Sequence, residues 1–208
     1  MMTRQQQNWF EGWRLFGLLT LVLIALSIWI AGMRHFEVEG VRMVIRFTAR
    51  TSLLFFCLAF SAAALARLWP NAFTRWQRRN RRQLGVTFAA SHALHAAAIF
   101  AFAKMDPAAY AAATSLASYV FGGIGYAFIL AMTVTSFDIT AAALGPRAWR
   151  ALHLVGGYYL LLQFTVSFGK RIPDMPLYAL FLIPLVAVFV LRMVAMASRR
   201  TPRVAQAG

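Results

Sequence analysis

Acidic side chains are scarce in this chain, with six Asp and Glu against 21 Lys and Arg in 208 residues. Charge of either sign is scarce as well, at 13%, where a soluble domain carries roughly 25%. The spans therefore lack the paired carboxylates, and also the broken helices, that an ion path uses, which argues against a transporter or channel. Asp138, the acid nearest a span, sits at a loop edge. The single cysteine, Cys57, lies in an apolar run. One thiol excludes an internal disulfide and a cysteine-ligated iron–sulfur centre, and leaves the role of a small buried hydrophobe. No Gly-x-Gly-x-x-Gly follows a strand pattern, so the chain cannot take hydride from a nicotinamide unaided. The glycines Gly122, Gly123 and Gly125 lie in an apolar segment, where small residues let helices approach, and do not form a phosphate loop.

What the chain has in abundance is apolar length. It is 61% hydrophobic, with a mean hydropathy of +0.63. Six segments, at 13–33, 44–68, 83–104, 114–136, 149–170 and 175–196, each approach the ~20 residues that a ~30 Å hydrocarbon core demands. Polar breaks divide them, and proline in four of the breaks stops the helical ladder. The first run is too long for a secretory leader, and no small-residue cleavage site follows it, so it reads as a retained span. The sequence predicts an all-α membrane protein, a six-transmembrane-helix bundle over residues 13–196. A short segment, 1–12, precedes it, and a tail, 197–208, follows, disordered after Arg200. Membrane lipids are its surroundings.

The formal charge of +15 does not indicate nucleic acid, because the arginines flank apolar segments instead of covering a soluble face. Six spans put Arg4, Arg14, Arg67, Arg75, Arg78, Arg79, Arg81, Arg82, Arg147, Arg150, Arg199, Arg200 and Arg203 on one side. The other side has Arg34, Arg42, Lys104, Lys170 and Arg171, diluted by Glu37, Glu39, Asp106 and Asp174. The positive-inside rule then places both termini in the cytoplasm.

Histidines within spans carry the chemistry, since an intramembrane ionisable residue is a functional-site candidate and imidazole is a common haem ligand. His95 lies deep in the third span and His153 just inside the fifth. Arg81 to His95 spans 14 residues, about 21 Å along a helix and nearly four turns, so both share roughly one face. His95 and His153 should differ in depth by about 10 Å, too far apart to clamp one iron. The competing reading is a histidine that hydrogen-bonds between helices. His92, three residues before His95, occupies a neighbouring part of that helix face and can orient a ligand or contact a propionate, but cannot oppose His95 across one iron. Arg46 and Arg50 either snorkel to the interface or pair with propionates. Gln163 is polar within an apolar span and can hydrogen-bond inside the bundle, and His35 reads as a solvated side chain.

Several of these residues form a pattern. Arg81-Arg82-x-Leu84-Gly85 with His95 ten residues on, Trp149-Arg150-x-Leu152-His153, Thr135-Ser136-Phe137-Asp138 before Leu144-Gly145-Pro146, and Thr48-Ala49-Arg50-Thr51 resemble the ferric-reductase-like transmembrane domain. Within it the chain is most similar to the haem-binding subunit of the periplasmic methionine sulfoxide reductase system. The resemblance covers about residues 40–170. It implies haem b held by His95, His153 and Arg81, with His92 and Arg50 nearby, and FMN or a quinone as a further cofactor. It implies an electron-transfer subunit of an oxidoreductase in the bacterial inner membrane. The donor would be a cytoplasmic flavin reductase or quinol, and the acceptor a periplasmic molybdopterin reductase subunit. Three positions depart from the pattern. Val166 stands where the family has a second fifth-helix histidine, Ala49 replaces a glycine, and the Thr-Pro after the second helix is missing. Valine cannot ligate iron, so one haem is expected and the second is in doubt. On the motif, His153 with Arg81 is the firmer site and His95 the weakened one. The alternative is a haem-less accessory or scaffold protein of the same fold.

Overall fold

The computed structural model describes residues 9–200, with side chains through Ser198. Arg4, Arg203 and the tail beyond Arg200 lie outside the described residues, as do the side chains of Arg199 and Arg200. The described residues form α1 (Gly12–Gly32), α2 (Val38–Leu68), α3 (Ala72–Arg79), α4 (Arg81–Met105), α5 (Pro107–Ala113), α6 (Leu116–Val134), α7 (Asp138–Leu144), α8 (Pro146–Gly169) and α9 (Leu182–Arg200), the last entered through a 3₁₀ turn at Pro176–Phe181. Six are long and apolar enough to cross a membrane: α1, α2, α4, α6, α8 and the Pro176–Ser198 segment. The protein is an all-α, six-helix, multi-pass bundle.

Two features depart from the sequence expectation. The second span begins at Val38, not residue 44, because Glu37 to Arg46 continue the helix despite their charge. Its Glu39 accepts from Arg46 at 3.1 Å, a pair one to two turns apart that an exposed helix end tolerates. Three short helices also fill the breaks. Of these, α3 is opened by a reciprocal capping box between Asn71 and Thr74, and α5 by Pro107 with an Asp106 side-chain cap.

The turn from α1 into α2 carries two consecutive non-glycine residues in the left-handed region, His35 (φ 50) and Phe36 (φ 58). The Phe36 amide donates to the Ala31 carbonyl at 2.9 Å, so the turn closes the helix end at the cost of backbone strain. His35 is exposed, as the sequence suggested.

Helix α2 is the central element, packed most extensively on α4 and also against α1, α3 and α9. Its contact with α4 is polar as well as apolar. Thr51 and Ser52 reach the Ser91 hydroxyl at 2.8 and 3.0 Å, and Ser91 donates to the Thr48 carbonyl at 3.2 Å. Such bonds satisfy hydroxyls that lipid cannot. Cys57 is buried and free. One end of the bundle gathers the basic segments: the Gly12 amide donates to Asn80, Arg79 pairs with Glu11, Arg82 with Asp138, and Arg67 donates to the Ser198 carbonyl. We call this the basic end.

Helix α8 approaches its neighbours at Gly156 and Gly157. A Cβ on Gly156 would meet Met132 Sδ at 2.6 Å, and one on Gly157 would overlap the Phe60 ring of α2, with Cδ2 and Cζ only 3.1 and 3.2 Å away. Glycine is required here by close approach, not by backbone angle. Gly157→Ala is expected to lower stability by about 1–3 kcal/mol, the usual cost of overpacking. Gly123→Ala, whose Cβ meets nothing within 4 Å, should be neutral or stabilising. Thermal unfolding in one detergent compares the two, and equal midpoints would refute the close-approach account.

Candidate functional site

Among the described residues the bundle has a cleft at each end. The basic-end cavity, about 300 Å3, is lined by Arg81, Arg82, Thr135, Ser136, Trp149 and His153 over a floor of Phe56, Phe60, Phe88, Ile129 and Met132. The far-end cavity, about 590 Å3, is lined by His92, His95, Tyr126, Gln163, Phe164 and Ser167, with Arg42, Arg46, Lys170 and Arg171 among its wall residues. His95 and His153 therefore belong to different sites. Between the clefts stands a wall of rings, with Phe56–Phe88 at 5.7 Å, Phe56–Phe164 at 5.3 Å, Phe88–Phe164 at 6.1 Å and Phe88–His92 at 5.6 Å between centroids.

His95 is held by α2. Its Nδ1 lies 3.1 Å from both the Ile45 carbonyl oxygen and Thr48 Oγ1. The Thr48 hydroxyl proton is committed to the Val44 carbonyl at 2.7 Å. Both neighbours of Nδ1 are therefore acceptors, which fixes the proton on Nδ1 and leaves Nε2 with a bare lone pair. A pinned Nδ1–H that orients a free Nε2 is how proteins prepare an imidazole for metal. Thr48 is fully buried, so this anchor is dry.

His153 is held by the end of α6. Its Nε2 lies 3.3 Å from Thr135 Oγ1, whose proton goes to the Ala131 carbonyl at 2.7 Å. Here the proton falls on Nε2, and the bare nitrogen is Nδ1, the one crowded against its own Cβ. The ring also stacks on Trp149 at 4.2 Å, and Trp149 Nε1 donates to the Thr135 carbonyl at 2.8 Å.

The remaining candidates divide between these places. Arg81 lines the basic-end cavity, within electrostatic reach of His153, and forms no ion pair among the described residues. His92 lines the far-end cavity, 5.2 Å from the His95 ring and 5.0 Å from Tyr126, centroid to centroid. Its Nδ1 is buried without a partner among the described residues, as is the Tyr126 hydroxyl. Arg46 lines this cavity, whereas Arg50 turns the other way, with its guanidinium over the Tyr178 and Phe181 rings at 5.9 and 5.4 Å. Val166 is 56% exposed on the outer face of α8 and lines neither cavity.

Two residues escaped the sequence reading. Tyr126 is one; its polarity is muted among Gly122, Gly123 and Gly125. The other is Arg192 in α9, whose Nη1 donates to the Phe60 carbonyl at 2.9 Å and whose Nε lies 3.3 Å from Tyr158 Oη. Its guanidinium sits 3.8 Å from the Phe60 ring centroid. A lone cation inside an apolar run was the available signal.

The far-end residues fit a haem. The donor is an oriented imidazole, the volume falls within the ~300–1,000 Å3 of ligand pockets, and four cations line the walls to face acidic substituents, Lys170 and Arg171 beside an Arg42 and Arg46 that also pair with Glu39. The basic-end cavity is at the bottom of that range, and its histidine offers the less accessible nitrogen. No group of three or more His, Cys, Asp or Glu side chains among the described residues gathers to hold a bare metal ion. Neither the family models, the curated proteins nor the solved structures contain a match to this chain.

Proposed function

We propose that the chain is a membrane electron-transfer subunit that holds one haem b on His95. The observation that carries this reading is the pinned Nδ1–H of His95, which turns a bare Nε2 toward a cavity walled by cations. Haem iron there supplies a one-electron carrier when bound. The resemblance to ferric-reductase-like domains supports the same chemistry.

The chain's own residues divide the work. Thr48 and Ile45 hold the imidazole; Arg42, Arg46, Lys170 and Arg171 neutralise propionates; Arg81, Trp149 and His153 form a second, smaller station at the basic end. By the positive-inside rule that end, with both termini, faces the cytoplasm of a bacterial inner membrane. It receives electrons from quinol, or through FMN from a flavin reductase, with the Trp149 face as the stacking surface for a planar headgroup. The far end delivers them to a periplasmic reductase partner. The second reading is a haem-less scaffold of the same fold, favoured by Val166 at the position of the family's second histidine and by its outward orientation.

The reduced-minus-oxidised optical spectrum of the purified protein separates the two. A haem Soret band is expected, at about one haem per chain. Protein that stays colourless when made with ample haem supply leaves only the scaffold.

A further inference from the structure

The far-end cavity contains more polar chemistry than one axial ligand uses. His92 Nδ1 and the Tyr126 hydroxyl are both buried and both lack partners among the described residues. Leaving such groups unpaired costs about 1–3 kcal/mol each, and the two rings lie 5.0 Å apart, centroid to centroid. Helix α8 lines the cavity with Leu160, Gln163, Phe164, Ser167 and Phe168. None of these is a haem-iron ligand, and Val166 points out of the bundle. His92 cannot complete the coordination, because it leaves α4 on the same side as His95 and the two rings lie only 5.2 Å apart.

We infer that the cavity keeps an exchangeable coordination position opposite His95, covered by His92 and Tyr126 as hydrogen-bonding groups, where a small exogenous ligand binds. The ligand class is a diatomic on ferrous iron or a compact neutral base on ferric iron. This rests on the haem assignment above. Glycines 122, 123 and 125 of α6 leave this side of the cavity without bulk, so a small molecule has room.

Carbon monoxide and imidazole are the probes. In the dithionite-reduced wild-type protein, carbon monoxide should shift the Soret band, and imidazole should perturb the ferric spectrum. Tyr126→Phe and His92→Ala should each move the C–O stretching frequency and change the carbon monoxide dissociation rate several-fold, while the haem content of the protein persists. Tyr126→Phe removes a single oxygen and guards against a misfolded His92→Ala. Four results would overturn the inference. A b-type protein indifferent to saturating carbon monoxide has both axial positions filled by side chains. A ferric spectrum converted by Tyr126→Phe alone makes the phenolate a ligand. A carbon monoxide complex that survives His95→Ala lies elsewhere. A C–O stretch unmoved by either substitution removes the covering role. A colourless protein, by contrast, defeats the haem assignment itself.

Discussion

His95→Ala is expected to abolish haem binding, whereas His153→Ala should leave most of it. Loss of an axial imidazole removes the covalent hold on the iron, and the other histidine lining that cavity, His92, has no hydrogen bond among the described residues to orient its ring. Thr48→Val tests the same point more gently. It keeps shape and removes one of the two acceptors that fix the His95 tautomer, leaving the Ile45 carbonyl in place. Losses from such outer-shell changes run about 10–100-fold in affinity, and the lower end is expected here because one acceptor survives. Haem-to-protein ratios by the pyridine haemochrome method would rank the three variants. The reverse ranking, with His153→Ala colourless and His95→Ala unaffected, would place the iron at the basic end, where the sequence motif alone puts it.

Arg192→Met should destabilise the bundle by about 2 kcal/mol. Two effects compete. A guanidinium in an apolar span with no carboxylate is costly, and an apolar replacement removes that cost. Against this stand a charge-assisted hydrogen bond, worth ~1.5–3 kcal/mol, and a desolvated cation–π contact, worth about 2 kcal/mol. The short contact to Phe60 and the bond to its carbonyl tip the balance. Denaturant midpoints in detergent would check this. If Arg192→Met matches the wild type, the arginine is not a structural clamp between α9, α2 and α8.

The spans were legible because lipid imposes length and apolarity on each separately, and five of six starts fall within a few residues of the structure. The start of α2 was not, because Glu37 and Glu39 read as part of a polar break, whereas Glu39 pairs with Arg42 and Arg46 within the first turns of the helix. Helix α3 was hidden by its arginines, although Asn71 and Thr74 spell its capping box. At the candidate site, His95, His92, His153 and Arg81 were visible as polar residues in apolar runs. Which ring nitrogen each histidine leaves bare was not, because that depends on Thr48 and Thr135, residues on other helices. Likewise, the orientations of Arg50 toward Tyr178 and of Val166 toward lipid are set by how α8 and α9 dock.

The ring wall of Phe56, Phe88 and Phe164 also acts as insulation. The two clefts approach each other from opposite ends, and a continuous water file joining them would short-circuit the membrane. Each elementary charge leaking down 100 mV dissipates about 2.3 kcal/mol. Electrons cross a few ångströms of hydrocarbon without moving atoms, whereas protons and hydrated ions need a wet path. Packed aromatic rings leave no room for that path, so an electron-transfer bundle of the kind proposed would still block protons and hydrated ions.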